Sequence, residues 1–193
     1  MYYFIGYLVK MILRIFGKTR VYHKELIPAN GPFVVACTHT GWVDVLYLGV
    51  VLLPLKIHYM AKKQLFENKF VAWFLKKLNA FPVDRDHPGP SVLKIPFSLL
   101  SEGEIIGIFP SGTRTTEQTS LKQGAVTIAQ RSNVPIIPAA FNGPNNLKEL
   151  FARKKASLIF GKPIYITSKD KEGRKYFLGV LEQKLIELEK ELE

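Results

Sequence analysis

Cysteine is nearly absent from the 193-residue chain: Cys37 stands alone, beside only four histidines. An intramolecular disulfide is thereby excluded, and the usual closed zinc sites lack their ligands. The cysteine count fits a reducing, cytosol-facing location. No G-x-S-x-G elbow is present, so the nucleophile turn of a serine hydrolase is missing. Low-complexity segments, repeats and linkers are missing too. No charge-free apolar run reaches the roughly 20 residues of a spanning helix, because Lys10 and Arg14 interrupt the most apolar stretch, Met1 to Phe16. A signal peptide is disfavoured as well, since no positive region precedes that stretch and no small-residue cleavage site follows it. Acidic residues are the minority charge, 16 against 27 Lys plus Arg, for a formal net charge of +11. Such a balance favours an anionic partner. The motifs of nucleic-acid modules do not occur, which sets nucleic acid aside and leaves a membrane surface or a phosphorylated substrate.

What is present suits one folded domain. Hydrophobic residues make up 47% of the chain and charged residues 22%, enough to fill a single core at this length. On a helix, Lys10, Arg14 and Lys18 fall on one face, with Phe4, Ile5, Leu8, Met11, Ile12 and Ile15 on the other. That pattern predicts an amphipathic helix over residues 1–18 lying in a membrane interface, cations toward anionic headgroups. A helix packed on the domain is the alternative. At the other end, Leu181, Leu185, Leu188 and Leu192 recur at helical spacing, and residues 181–193 hold five Glu and two Lys. The positive charge therefore belongs to the rest of the chain.

Between the ends, β-branched runs alternate with helical stretches. Strands are expected at Phe33–Cys37, Ile57–Met60, Phe81–Val83, Ile105–Phe109, Ile136–Phe141 and Ser157–Phe160. Helices are expected at Val45–Leu53, stopped by Pro54, at Phe70–Leu78, at Val92–Leu100 with a kink or late start at Pro96, and at Gly124–Arg131. The alternation predicts a single α/β domain over residues 19–193, a mixed and largely parallel sheet flanked by helices. Sheets of this kind place chemistry just beyond the C-terminal ends of their strands. Three segments qualify: Thr38–Asp44, Asp84-Arg85-Asp86 and Pro110–Arg114.

His39 and Asp44 are five positions apart, around a strand end and the first turn of the next helix. A carboxylate on one ring nitrogen fixes the imidazole tautomer and leaves the other nitrogen as a general base. A hydrogen-bonded strand-end histidine and an N-capping aspartate explain the same spacing. Phe109-Pro110-Ser111-Gly112-Thr113-Arg114 supplies a glycine turn, hydroxyls and a guanidinium, the set that suits a phosphate dianion; a surface turn with a solvated arginine is the plainer reading. Lys62, in Ala61-Lys62-Lys63, and Arg85 each follow a predicted strand and add positive charge near the same edge.

Four blocks in order, His39–Asp44, Asn79-Ala80-Phe81-Pro82-Val83-Asp84-Arg85, Phe109–Arg114 and Val134-Pro135-Ile136-Ile137-Pro138, resemble the glycerolipid acyltransferase family, above all its bacterial 1-acylglycerol-3-phosphate acyltransferases. The resemblance organises residues from about 33 to 141, and Ala61-Lys62-Lys63 falls where the family carries a basic segment. It implies an acyl transfer in phospholipid synthesis, from acyl-CoA or acyl carrier protein to the 2-hydroxyl of lysophosphatidate, giving phosphatidate at the cytoplasmic face of the membrane. His39 would be the base and Asp44 its orienting carboxylate; Arg114, Lys62 and Arg85 would hold the acceptor phosphate, with Gly112 and Thr113 shaping the loop. The family implies neither a metal nor a cofactor beyond the acyl thioester co-substrate. Many members carry Ser at the position of Gly41 and Glu at the position of Ser111. Ser111 therefore becomes the residue expected to bear on acceptor identity, another lysolipid being the alternative.

Overall fold

The computed structural model describes residues 2–17, 19–38, 41–84, 90–109 and 116–193, the side chains of 90, 91 and 116–121 aside. The helices are α1 (Tyr2–Phe16), α2 (Val43–Leu52), α3 (Lys69–Lys77), α4 (Lys94–Ser101), α5 (Thr116–Ser132), α6 (Leu147–Phe151) and α7 (Lys171–Leu192). The strands are β1 (Thr19–Tyr22), β2 (Phe33–Cys37), β3 (Ile57–Lys62), β4 (Ala80–Val83), β5 (Ile105–Ile108), β6 (Ile136–Asn142) and β7 (Ala156–Phe160). They form one seven-stranded sheet in the order β1-β7-β6-β2-β5-β3-β4. Neighbours run parallel except β6 and β7. The expected α/β domain with a mixed, largely parallel sheet is the observed architecture.

The sequence dictates why β2 lies at the centre. Phe33-Val34-Val35-Ala36-Cys37 carries no polar residue and is buried along its whole length, as a parallel strand covered on both faces must be. Its side chains alternate between two cores. Phe33, Val35 and Cys37 join Tyr47, Leu48 and Leu52 of α2 on one face. Val34 and Ala36 join Ala125, Val126 and Ala129 of α5 and Leu181 and Leu185 of α7 on the other. The α2 and α5 crossovers thus cover opposite faces of the sheet, and β2 lies between β6 and β5 where the winding changes direction.

Several boundaries differ from the expected ones. A 3-10 turn at Pro90–Leu93 precedes α4, which has the late start expected from Pro96; Pro96 occupies the third helical position, where an N–H would have no intrahelical partner. Helix α7 starts at Lys171, capped by Asp170 accepting from the Gly173 N–H, well before the leucine stripe. Buried Gln130 fixes that start to α5: its Nε2 donates to the Ser168 and Asp170 carbonyls at 2.8 and 3.3 Å, and its Oε1 accepts from Arg174 Nε at 2.9 Å. β1 and α6 are additions to the expected elements.

Helix α1 packs on the domain through Leu13, which is buried, through Gly6 against Leu53, and through the Tyr2 hydroxyl, which accepts from the Ile57 N–H at 3.2 Å. Its outward side is apolar as well: Tyr3, Phe4, Tyr7, Leu8, Met11, Ile12 and Ile15 are all exposed, Phe4 to 73%. Lys10 and Arg14, also exposed, flank this strip, while Ile5 turns toward the domain side and is half-buried. Among the described residues no helix is long and apolar enough to cross a membrane.

Candidate active site

The chain leaves β2 under firm restraint. Thr38 is buried; its N–H donates to the Ala139 carbonyl at 3.0 Å and its Oγ1 accepts from the Phe141 N–H at 3.1 Å. These two bonds hold the end of β2 to β6 one residue before His39. After two further residues, the Gly41 N–H donates to Asp44 Oδ2 at 3.1 Å. Asp44 is fully buried and belongs to the first turn of α2, where the helix N-terminus favours a negative charge. The N-cap position belongs to Trp42. Asp44 thus closes the His39–Asp44 loop from within the helix instead of capping it.

Glycine at position 41 is required by a close approach. A Cβ there would lie 2.8 Å from the Asn145 Cα and carbonyl carbon, and nearer still to its oxygen. The loop after β6 is consequently stacked directly on the loop after β2. That loop is itself held by a reciprocal cap at α6, where Asn146 Oδ1 accepts from the Glu149 N–H at 3.0 Å and Glu149 Oε2 accepts from the Asn145 N–H at 3.1 Å.

Beneath α2 lies Tyr59, a residue that sequence reasoning passed over. Its hydroxyl donates to the Val45 carbonyl at 3.1 Å, and its ring stacks on Phe109 at 6.0 Å. Burial pushes the phenol well above its ordinary range, so it remains a donor. Two glycines make room for it: a Cβ on Gly49 would meet its oxygen at 2.6 Å, and one on Gly107 its ring at 2.9 Å. The signal was a glycine inside the otherwise apolar Ile105-Ile106-Gly107-Ile108 run, which marks a close neighbour. Cys37 is buried too, and desolvation pushes its thiol well above the usual range. It stays protonated and supplies no nucleophile.

His39, Arg85, Ser111, Gly112, Thr113 and Arg114 lie outside the described residues. The strands that deliver them do not. The ends of β2, β5, β3 and β4 are consecutive and parallel along one edge, with Ala36 beside Ile108 and Lys62 beside Val83. At about 4.8 Å per strand, the segment after Phe109 starts one strand from β2. Lys62, half-buried as the last residue of β3, lies two strands away, and Asp84, directly after β4, lies three strands away at the sheet edge. Asp84 lies 3.9 Å from the ammonium of Lys63. Three of the four blocks therefore follow the C-terminal ends of neighbouring parallel strands, β2, β4 and β5, on the edge where such sheets bind ligands, while Val134–Pro138 leads into β6 at the opposite edge. Among the described residues no three His, Cys, Asp or Glu groups cluster as metal ligands would.

The model of the family described as Acyltransferase matches residues 18–142. The chain belongs to the acyltransferase family. It is 53% identical over its full length to 1-acyl-sn-glycerol-3-phosphate acyltransferase of Bacillus subtilis (strain 168), spanning 99% of that protein. Across 86% of the chain it is 32% identical to the Streptococcus pneumoniae protein of the same name, of which it spans 62%. In fold it is similar to the 1-acyl-sn-glycerophosphate (LPA) acyltransferase PlsC of Thermotoga maritima. The TM-score is 0.71 at 23% identity, over 97% of this chain and 79% of that one. The family match runs from the start of β1 to the end of β6, so it takes in all the strand ends that form the site.

Proposed function

We propose that this acyltransferase moves a fatty acyl group from an acyl thioester to the 2-hydroxyl of 1-acylglycerol-3-phosphate, giving phosphatidate. The observation that carries the reading is the convergence of the four strand ends on one edge, with the buried carboxylate of Asp44 behind the first of them. The name of the full-length Bacillus subtilis relative supports the same reaction.

In this mechanism His39 takes the proton of the 2-hydroxyl, and Asp44 holds the ring and balances the imidazolium. The alkoxide oxygen attacks the thioester carbonyl and a C–O bond forms. The tetrahedral intermediate then collapses with loss of the C–S bond, and the leaving thiolate receives the proton from His39. No covalent acyl-enzyme intervenes. Arg114, assisted by Lys62 and Arg85, grips the acceptor phosphate through charge-assisted bonds, with Gly112 and Thr113 forming the loop. Anchoring the phosphate fixes the hydroxyl against the base, and this orientation lowers the barrier as much as it raises affinity. The donor is acyl-CoA or acyl carrier protein, and no metal or further cofactor takes part. Ser111 lies in the phosphate loop where many relatives hold Glu, which favours, as a second reading, a different lysolipid acceptor.

The enzyme works as a peripheral or monotopic protein on the cytoplasmic face of an anionic membrane. The outward strip of α1 supports that placement, because seven exposed apolar residues with Lys10 and Arg14 alongside suit a headgroup–acyl boundary. Residues 1–18 are then the interfacial helix and 19–193 the catalytic domain. The test is an acceptor and donor panel with purified protein in lipid. Lysophosphatidate turnover well above other lysolipids is expected. Turnover only of a neutral lysolipid overturns the phosphate assignment, and thioester hydrolysis at a comparable rate without acceptor overturns transfer itself.

A further inference from the structure

A second apolar surface, on α3 and the turn before it, is not explained by the site. Phe70 is 76% exposed and Trp73 52%, and Leu65 and Val71 are exposed beside them. A helix that packed these rings inward would be unremarkable on sequence grounds; here only Ala72 is buried. The exposed side chains are held in place. Asn68 Oδ1 caps the helix by accepting from the Phe70 and Val71 N–H groups at 3.0 and 3.2 Å. The Phe70 and Trp73 rings stack at 6.4 Å, and Lys77 Nζ lies 5.9 Å over the Trp73 ring. Lys63, Lys69 and Lys76 are exposed around them, and residues 63–77 contain one acidic side chain, Glu67.

We propose that α3 is a membrane contact in its own right, an aromatic wedge with a lysine collar that enters an anionic bilayer separately from α1. Three observations carry this. Aromatic rings at the surface with lysines around them match the composition of the headgroup boundary, where Trp and Phe seek the interface and Lys the anionic phosphates. The rings are also fixed in their outward position, since the Asn68 cap, the Phe70–Trp73 stack and the Lys77 ammonium over Trp73 hold them at the surface. It also stands at the functional edge, since α3 follows directly from the C-terminal end of β3 and precedes β4. A wedge there would hold the mouth of the site against the surface that contains a lysolipid acceptor. The inference rests on the proposed reaction only for this last consequence; the binding itself does not depend on it.

The experiment uses the full chain with vesicles of phosphatidylcholine and phosphatidylglycerol, a fraction of them brominated in the acyl chain. In Trp42→Phe protein, emission comes from Trp73 alone, and the expectation is quenching by brominated lipid. Independently, Phe70→Ser/Trp73→Ser should weaken vesicle partitioning at least about tenfold with an unchanged thermal midpoint, since both rings are largely exposed. The same double variant should keep its rate on short-chain substrates below their micelle concentration and lose rate on vesicle-embedded acceptor. Unquenched Trp73 in vesicle-bound protein overturns the proposal, as does unaltered partitioning of the double variant. Protection of Trp73 by an acidic carrier protein but not by vesicles also overturns it. Absence of acyl transfer by wild-type protein in both substrate formats defeats the proposed reaction instead, and leaves the quenching result to judge α3.

Discussion

Replacing Gly41 by serine tests how tightly the site loops are locked together. The added Cβ would stand 2.8 Å from both the Cα and the carbonyl carbon of Asn145, and closer to the oxygen, where ordinary carbon contacts lie at about 3.5–4.0 Å. Every atom it meets is backbone, so no rotamer change relieves the contact. One loop must move by about 1 Å or more. The Asn145 side cannot yield cheaply, because its N–H is bonded to Glu149 and the next residue caps α6. The displacement falls instead on the segment between Thr38 and Asp44, where the Gly41 N–H holds the carboxylate at 3.1 Å. Overpacking of this kind costs about 1–3 kcal/mol, a fall of about 2–12 °C in the thermal midpoint of a chain this size. Activity should suffer more, since a misplacement of about 1 Å at a reacting group costs about a hundredfold. The assay is kcat/KM for phosphatidate formation alongside a melting curve. Wild-type values of both in Gly41→Ser would refute the close approach.

Arg114→Ala should raise the acceptor KM at least tenfold and leave the donor KM unchanged, measured by varying lysophosphatidate at fixed thioester; an unchanged acceptor KM removes Arg114 from the phosphate site. Leu181→Ala, at a side chain fully buried between α7 and the sheet, should lower stability by about 2–5 kcal/mol in denaturant titration. His58 gives a pH signature. Burial depresses its pKa below the ordinary 6.5, outweighing Glu104 Oε2 at 3.4 Å. The unfolded chain therefore binds that proton more readily, so the contribution of neutral His58 is present above about pH 6.5 and is lost as the pH falls toward the depressed value. His58→Gln should flatten the loss of stability between pH 7 and 5, and an unaltered slope would show that other groups cause it.

The central sheet was legible because β2, β3, β5 and β6 are short apolar runs separated by helical stretches and turn residues. The edges were not. β1, Thr-Arg-Val-Tyr, alternates between half-buried and exposed positions and finds its partner, β7, at Ala156–Phe160; no local signal announces so distant a pairing. Nor does the sequence encode that β7 runs against β6 while the central strands run together. Helix α6 was readable in principle, since Asn146 followed three residues later by Glu149 has the spacing of a capping box, but its five residues make little more than one turn. Within the site, the His39–Asp44 spacing and the Phe109–Arg114 run were visible as patterns. The restraint by Thr38 and the Tyr59 floor were not, because each depends on a partner far along the chain, Phe141 for the one and Gly107 for the other. Helix α1 was expected to set Lys10 and Arg14 against an apolar face; both are exposed beside exposed Phe4, Leu8 and Ile15, and a second apolar side, with Val9 and Leu13, packs on the domain. Only packing tells those two apolar faces apart.

The most direct test of the account is the rate of phosphatidate formation from lysophosphatidate and an acyl thioester by His39→Ala, with folding verified by an unchanged melting curve. A loss of about 10²–10⁴-fold is expected, the range that a positioned general base supplies. A folded His39→Ala protein turning over at the wild-type rate would contradict it.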